Sequence, residues 1–289
     1  MPRGDLTVIF VSYNSAQVIT ERHDALCAAS QTPVIIVDNA SPDGSANALA
    51  ERYPDTTVLP QDRNLGYGRG ANVALRACTT PYALLLNPDL HADPADIDRL
   101  LAHLQAAGDR VALSGPAVLD EQHRPDAEPA AVDWISGCAI LFNVAVTHEI
   151  GLFDERIFLY SEETELCQRV RAAGYTILRC DDVHFDHDAG TSSGSSPALD
   201  YLRGWHFAWS NAYRMTKHRQ TTLWKHPRRK MISCRLHALL TRKPHKRTKW
   251  GAKADGYAAF LRGEQAFDAD GHPMMAPKPQ PLKSATAES

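Results

Sequence analysis

The sequence predicts an α/β protein built on a mostly parallel sheet with helices on both faces. Three observations predict it. Apolar runs of strand length alternate with segments of helix length through the first hundred residues. The run Tyr82-Ala83-Leu84-Leu85-Leu86 is apolar throughout, which marks a central strand buried on both sides. Three runs end in polar clusters: Ser12-Tyr13-Asn14, Asp38-Asn39 and Asn87-Pro88-Asp89. Clusters at the carboxyl edge of one sheet point to a single ligand site, because that edge is where open α/β sheets bind ligands.

Leu6 to Val11 is the first predicted strand, followed by a helix that buries Val18, Ile19 and Leu26 and is capped by Asn14 or Ser15. Val34 to Val37 is the second strand, and Asp43 is placed to cap a helix over 45–53. A weak strand over 56–59 leads through a Gly-rich loop to a helix ending near Cys78. After the central strand, Asp93-Pro94 reads as a cap and first turn for a helix to about Ala107. Short strands are expected at 111–114 and 117–119, and a longer one with a Gly bend over 134–142. Ser161 is expected to cap a helix that Gly174 ends, and Thr176–Cys180 is a last strand before a polar loop.

A chain of 289 residues is ample for a proper core. No apolar run reaches the length of a membrane span and the first residues lack a signal-peptide pattern, so a cytoplasmic protein is expected. The six cysteines are scattered without a CxxC pair, which reads as buried thiols, not a zinc site or a disulfide framework. Charge is unevenly spread. Residues 1–216 hold 15 Arg and no Lys against 29 Asp and Glu, a net −14, whereas residues 217–253 hold 13 Lys and Arg and no acid.

Several residues carry candidate chemistry. Pro88 stops the central strand and delivers Asp89 at its carboxyl end, with Asn87 two residues before. Oxygen donors there suit a divalent cation carrying phosphates, and they equally suit a plain turn and helix cap. Gly66-x-Gly68-x-x-Ala71 fits the spacing of a dinucleotide fingerprint, yet it follows a poor strand in the third β-α unit instead of the first. In the helix after Ser161, Glu163 projects with Leu166, Cys167 and Val170, while Glu165 projects away toward Arg169. An inward carboxylate at a helix start is either a base in waiting or part of a solvated acidic first turn. His187, in the loop after the last strand, is a candidate for completing a metal site, whereas His184 should point the other way.

Taken together, these segments resemble the inverting GT-A glycosyltransferases of the large nucleotide-sugar family, and in particular its bacterial rhamnosyltransferase-like branch. The likeness rests on Val11-Ser12-Tyr13-Asn14, Val37-Asp38-Asn39-Ala40-Ser41-x-Asp43-Gly44-Ser45, Asn64-x-Gly66 with Asn72, and Leu86-Asn87-Pro88-Asp89. It continues through Ser136-Gly137, Gly151-x-Phe153-Asp154-Glu155, Phe158-x-Tyr160-x-Glu162-Glu163-x-Glu165-Leu166-Cys167-x-Arg169 and His187-x-x-Gly190-x-Ser192. The resemblance implies a GT-A fold with residues 1–110 as the nucleotide-sugar half and 111–215 as the acceptor and catalytic half. It implies that Ser12, Tyr13, Asn14, Asp38, Asn39, Asn64, Gly66, Asn72 and Asn87 hold the UDP- or dTDP-sugar, with Asp38 on the base. Asp89 and His187 would meet a diphosphate-bound Mn2+ or Mg2+, and Glu163 would be the catalytic base. Trp134, Gly137, Tyr160 and Glu162 would lie on the acceptor side, facing a saccharide or lipid-linked acceptor. Glu163 and Glu165 stand where the branch usually has Asp, which raises a slow or inactive homologue as an alternative. An NAD(P)-dependent oxidoreductase using Gly66–Ala71 is the other alternative, and the acidic body argues against nucleic acid.

The basic stretch needs its own account. Met231, Ile232, Leu236, Leu239 and Leu240 are spaced as one helical face, and Trp224 and Trp250 bracket them. Residues 216–265 therefore read as a basic amphipathic helical extension, in peripheral contact with the anionic inner face of a membrane or packed on the acidic body. A chain cut at Lys217 is expected to stay folded, and 266–289 to be a flexible tail.

Overall fold

The computed structural model describes residues 4–29, 32–118, 123–187 and 196–274, with His187 described by its backbone only. The first half alternates as expected: β1 (Leu6–Ser12), α1 (Ala16–Cys27), β2 (Val34–Asp38), α2 (Ser45–Arg52), β3 (Thr57–Pro60), α3 (Tyr67–Ala77), β4 (Tyr82–Leu86), β5 (Leu90–His91) and α4 (Pro94–Ala107). The second half holds β6 (Val111–Ala117), β7 (Ala130–Ala131), β8 (Ala139–Asn143), α5 (Val144–Ile150), α6 (Glu162–Ala172), β9 (Thr176–His184) and β10 (Asp186–His187). Three helices follow: α7 (Pro197–Lys217), α8 (Pro227–Leu240) and α9 (Pro244–Leu261).

Among the described residues the main sheet has eight strands in the order β3-β2-β1-β4-β8-β6-β9-β7. The first four are parallel, and β8 runs antiparallel to both of its neighbours, β4 and β6. Period-two alternation divides the strands between two apolar layers. Leu6, Val8, Phe10, Leu84 and Leu86 pack under α1, α2 and α4, while Ile9, Val11, Ala83 and Leu85 pack under α3 and α6. The antiparallel β8 belongs to a segment expected as one long strand. Trp134–Cys138 is instead a loop, and only the part after it pairs.

Other expectations shift in detail. The two short strands at 111–114 and 117–119 are one strand, β6, at least to Ala117. β9 runs four residues past Cys180, because Asp181 is held by Arg179 and Asp182 by His103. Ser161 begins α6 but its side chain makes no capping bond; it lies at φ +69. Gly174, at φ +81, follows the helix end as expected.

The carboxyl-terminal region departs most from expectation. It is not one amphipathic extension hung on a finished body. A boundary at 215 falls inside α7, and α9 lies along α7 so closely that Gly256 abuts the Trp205 carbonyl and Gly204 abuts Ala252. Ala208, Ala212, Cys234, Ala254 and Tyr257 form the apolar seam of α7, α8 and α9. Residues 266–274 are not a free tail either. Phe267 pairs with Pro273 in a β-bridge, packs edge-on to Phe158 and lies under Arg69. Residues 275–289 lie outside the described residues.

His206 on α7 is buried between the rings of Phe158 and Trp205, and burial pushes it down to about 3 from 6.5. Between those values the unfolded chain takes up a proton that the folded chain refuses. The sign follows: stability is full above pH 6.5 and falls as pH drops toward 3, by about 1.4 kcal/mol per unit from this group. Denaturant midpoints measured from pH 7 to 5 should show that fall, and the non-titrating His206→Leu should show a shallower one. Equal slopes would mean that His206 titrates alike in both states.

Candidate active site

The site lies along the carboxyl edge of β1, β2 and β4, where the chain leaves the sheet. Ser12 is opposite Asp38 in the parallel register, and Asn39 N–H donates to the Ser12 carbonyl at 2.8 Å. The Ser12 hydroxyl is fully buried. Asp38 accepts from Ser41 twice, from its N–H at 2.9 Å and its hydroxyl at 2.6 Å. Ser41 Oγ in turn accepts the Asn14 N–H at 2.9 Å. These bonds fix the Asp38 carboxylate in an Asx turn while leaving it lone pairs for a further donor. Tyr13 is half-buried and Asn14 exposed at the rim.

Several residues expected to face a nucleotide sugar are occupied by the protein. Asn72 is fully buried; its Oδ1 accepts the Phe153 N–H at 2.9 Å and its Nδ2 donates to the Phe153 carbonyl at 2.9 Å. That is a clamp on the Gly151–Glu155 loop, not a donor contact, and Arg76 reinforces it by pairing with Glu155. Asn39 donates to the Gly66 carbonyl at 3.0 Å, and Asn64 accepts the Gly66 N–H at 2.9 Å. Gly66 itself lies at φ +84, and a Cβ there would fall 2.1 Å from the Phe158 carbonyl oxygen. Gly70 abuts Val11 and Asn39 in the same way. The glycines of the apparent fingerprint are thus explained by packing, Gly66 against Phe158 and Gly68 against Phe153 and Glu162, which removes the structural basis for a pyrophosphate cradle there.

The Asn-Pro-Asp turn is built from below and from the side. Asn87 N–H donates to the Cys138 carbonyl at 2.8 Å, tying the turn to the 134–138 loop. His23, buried and pushed down to about 4 chiefly by that burial, donates from Nε2 to the Pro88 carbonyl at 3.2 Å. Sequence reasoning passed over His23; its place mid-helix among apolar neighbours gave no sign of what lay above it. Asp89 is buried and leads into β5, which pairs antiparallel with β10 in the register His187↔Leu90. Residues 97 positions apart in sequence are therefore paired, His187 with Leu90, the residue after Asp89. Among the described residues no group of three or more His, Cys, Asp or Glu gathers into a metal-holding cluster. The buried Asp89 carboxylate, one residue before that pairing, is an oxygen donor of the kind a hard divalent cation would take. Gly190 and Ser192 lie outside the described residues.

Across the edge stands α6. The turn that enters it puts two consecutive non-glycine residues, Tyr160 and Ser161, at positive φ. Asn14 and Ala40, at the ends of β1 and β2, do the same, so backbone strain gathers around the site. The three acids of α6 meet three different surroundings. Glu162, expected on the acceptor side, is buried against Gly68, and burial followed by the Glu163 charge pushes its carboxyl well above the usual range. Glu165, expected to project away, is fully buried. It accepts from Arg169 at 2.9 and 3.0 Å, from Lys217 at 2.7 Å and from His218 at 3.1 Å. Its Arg169 partner is as expected; the burial is not.

Glu163 alone of the three is half-exposed. Its Oε1 accepts from Trp134 Nε1 at 3.3 Å and from Thr164 Oγ1 at 2.8 Å. A Cβ on Gly137 would lie 3.3 Å from the Glu163 side chain, so the glycine lets the carboxylate settle over the loop backbone. Tyr67 OH donates to the Gly137 carbonyl at 2.8 Å and pins that loop. Trp134 and Tyr160 are both partly exposed, at 44% and 37%.

A GT-A fold with these carboxylates at its edge defines the class, and the comparisons agree. Residues 7–133 match the family described as Glycosyl transferase family 2. The N-acetylglucosaminyl-diphospho-decaprenol L-rhamnosyltransferase of Mycobacterium tuberculosis is 25% identical over 274 residues, covering 78% of this chain and 88% of that protein. A low-salt glycan biosynthesis hexosyltransferase of Haloferax volcanii is 25% identical over 212 residues, covering 64% of this chain and 67% of that one. Among solved structures, the mannosyltransferase of Pyrobaculum calidifontis, in complex with GDP-Man and Mn2+, shares the fold with a TM-score of 0.57 at 20% identity, over 90% of this chain and 79% of that one. Residues 7–133 match a glycosyltransferase family 2 domain, the fold is GT-A, and the chain is similar over most of its length to a rhamnosyltransferase.

Proposed function

We propose that the protein moves a sugar, rhamnose or a similar hexose, from a UDP- or dTDP-sugar to a hydroxyl of a saccharide or lipid-linked acceptor, with inversion at the anomeric carbon. The observation that carries this reading is the sorting of the α6 acids. Two are buried, and the third, Glu163, is half-exposed between Trp134 and Gly137 of the loop whose Cys138 carbonyl accepts the Asn87 N–H. An acceptor hydroxyl is a poor nucleophile until a positioned carboxylate takes its proton, and Glu163 is the group placed to do so. Attack from the face opposite the leaving diphosphate inverts the centre without a covalent sugar–enzyme intermediate.

Asp38 and the Ser12–Asn14 rim hold the nucleotide in this account. Asp89 and His187 would hold a Mn2+ or Mg2+ ion, which would supply Lewis-acid stabilisation of the departing diphosphate. Trp134 and Tyr160 stack on the sugars, Gly137 leaves room beside the base, and Glu162 lies buried against Gly68. The M. tuberculosis relative is named for an acceptor on diphospho-decaprenol. A lipid-linked acceptor of that chemistry fits a family 2 enzyme whose described helices are all too short or too polar to cross a membrane. Synthesis of a cell-surface polysaccharide, at the inner face of the plasma membrane, is the role that follows.

The test is product stereochemistry. An inverted anomeric configuration is expected by NMR, and a retained one would contradict the mechanism. The metal reading is checked separately. Asp89→Ala should abolish Mn2+-dependent nucleotide binding, and EDTA should remove activity. Activity unchanged in EDTA would reassign Asp89 and His187 to direct contact with the diphosphate.

A further inference from the structure

Helix α8 has two apolar faces, and the protein uses only one. Pro227 and Cys234 are buried and Met231 half-buried where α8 packs on α9, so Met231 does not belong to the outward face the spacing had assigned it. Ile232, Leu236, Leu239 and Leu240 follow at intervals of 4, 3 and 1, which places them together on the opposite side. All four are exposed, Leu239 and Leu240 by 77% and 81%. Leu223 and Trp224, just before α8, are exposed by 64% and 76%, and Arg229 lies over the Trp224 ring. Most of the large apolar side chains that the described residues expose are therefore in this short segment.

Charge chooses the occupant. The apolar face stands in a stretch of 13 Lys and Arg without an acid, on a body that is net negative. A second copy of this chain would bring the same cations to the same face, and an aqueous face would not concentrate leucine. An anionic bilayer offers hydrocarbon to the leucines, headgroup phosphate to the cations and an interface to the tryptophan.

We propose that the outer face of α8, with Leu223 and Trp224, is a docking surface for an anionic bilayer. A lipid-linked acceptor, as proposed above, gives this face its purpose. Helix α8 is also linked by contacts to the acceptor side. Tyr160 meets Phe207 edge-on at 5.7 Å, Lys253 Nζ lies 4.2 Å from the Phe207 ring and 5.3 Å from Trp250, and Trp250 stacks on His237 of α8 at 4.7 Å. A contact path of aromatic and cationic groups thus leads from the candidate catalytic edge to the docking helix. Such a path suits an acceptor whose diphosphate and sugar must reach the site while its lipid stays in the membrane.

The test is co-sedimentation of the full chain with vesicles of phosphatidylcholine alone and of phosphatidylcholine with phosphatidylglycerol. The chain should pellet with the anionic vesicles at low salt and be released by high salt. Leu236→Ser with Leu240→Ser should weaken the partition by about 10-fold or more. Its melting temperature should hold, since both side chains are exposed. Trp224→Ala makes a second, chemically different lesion and should weaken binding in the same direction. Absence of binding to anionic vesicles at low salt overturns the proposal. So does full binding by both variants, or a dimer without lipid that the double variant turns into monomer. The nucleotide-induced rise in melting temperature is read on the same samples. Its loss with vesicle binding intact would fault the functional reading alone; its presence without vesicle binding would fault the docking surface alone.

Discussion

Glu163→Gln should cut turnover by about 100-fold or more while donor binding survives. The substitution keeps the size of the side chain and its bond to Trp134 Nε1, and removes only the capacity to take a proton. Glutamate is one methylene longer than the aspartate usual in this branch, and the structure shows what receives that length. The carboxyl reaches back to Trp134 and Thr164 over a loop where Gly137 has no side chain. Glu163 therefore has a fixed position, which a base requires. Near-normal turnover in Glu163→Gln would transfer the role to another group.

Glu165→Gln should act on stability instead. A carboxylate projecting away into solvent would give only a mild effect. The structure places that carboxylate at 0% exposure under Arg169, Lys217 and His218, with Lys217 also reaching Asp154 at 2.6 Å. Removing the one anion these groups share on α6 leaves buried positive charge uncompensated, a loss of about 3 kcal/mol. Arg169 also donates to the carbonyls of Ile150, Gly151 and Leu152, so the loop clamped by Asn72 should loosen with it. The measurement is a denaturation midpoint beside a turnover assay under stabilising conditions. Retained stability with lost turnover would reverse the roles of Glu163 and Glu165.

The contrast between these two acids shows what the sequence could convey. Helical periodicity placed Glu163 above Leu166 and Val170, and the structure agrees, because that face packs on the sheet and only its first residue overhangs the edge. Periodicity also placed Glu165 on the opposite face, and that too is its position. The error lay in taking the opposite face for solvent. It is covered by α7 and by residues more than fifty positions later, and no local pattern announces such a contact. Asn72 and Gly66 show the same limit. Their partners, Phe153 and Phe158, lie 81 and 92 residues away, and a polar residue in a Gly-rich loop looks alike whether it awaits a ligand or holds a backbone.

Strand ends were more legible. Asp38 and Asp89 were placed by the length of an apolar run and by a residue that stops it, both local properties. The pairing of β5 with β10, which sets His187 opposite Leu90, has no local signal. In α8 the spacing of Ile232, Leu236, Leu239 and Leu240 was read correctly, while Met231 was assigned to the wrong side because both faces of the helix are apolar.

The central claim is that the edge formed by Asp38, Asp89 and α6 binds a nucleoside diphosphate sugar. Thermal shift of the full chain with UDP, dTDP and GDP, each with Mn2+, tests it most directly, because a ligand that binds only the folded state raises the melting temperature by mass action. UDP or dTDP should raise it, EDTA should cancel the rise, and Asp89→Ala should not show it, while NADH should leave the chain unchanged. A rise with NADH, or none with any of the three diphosphates, would contradict the account.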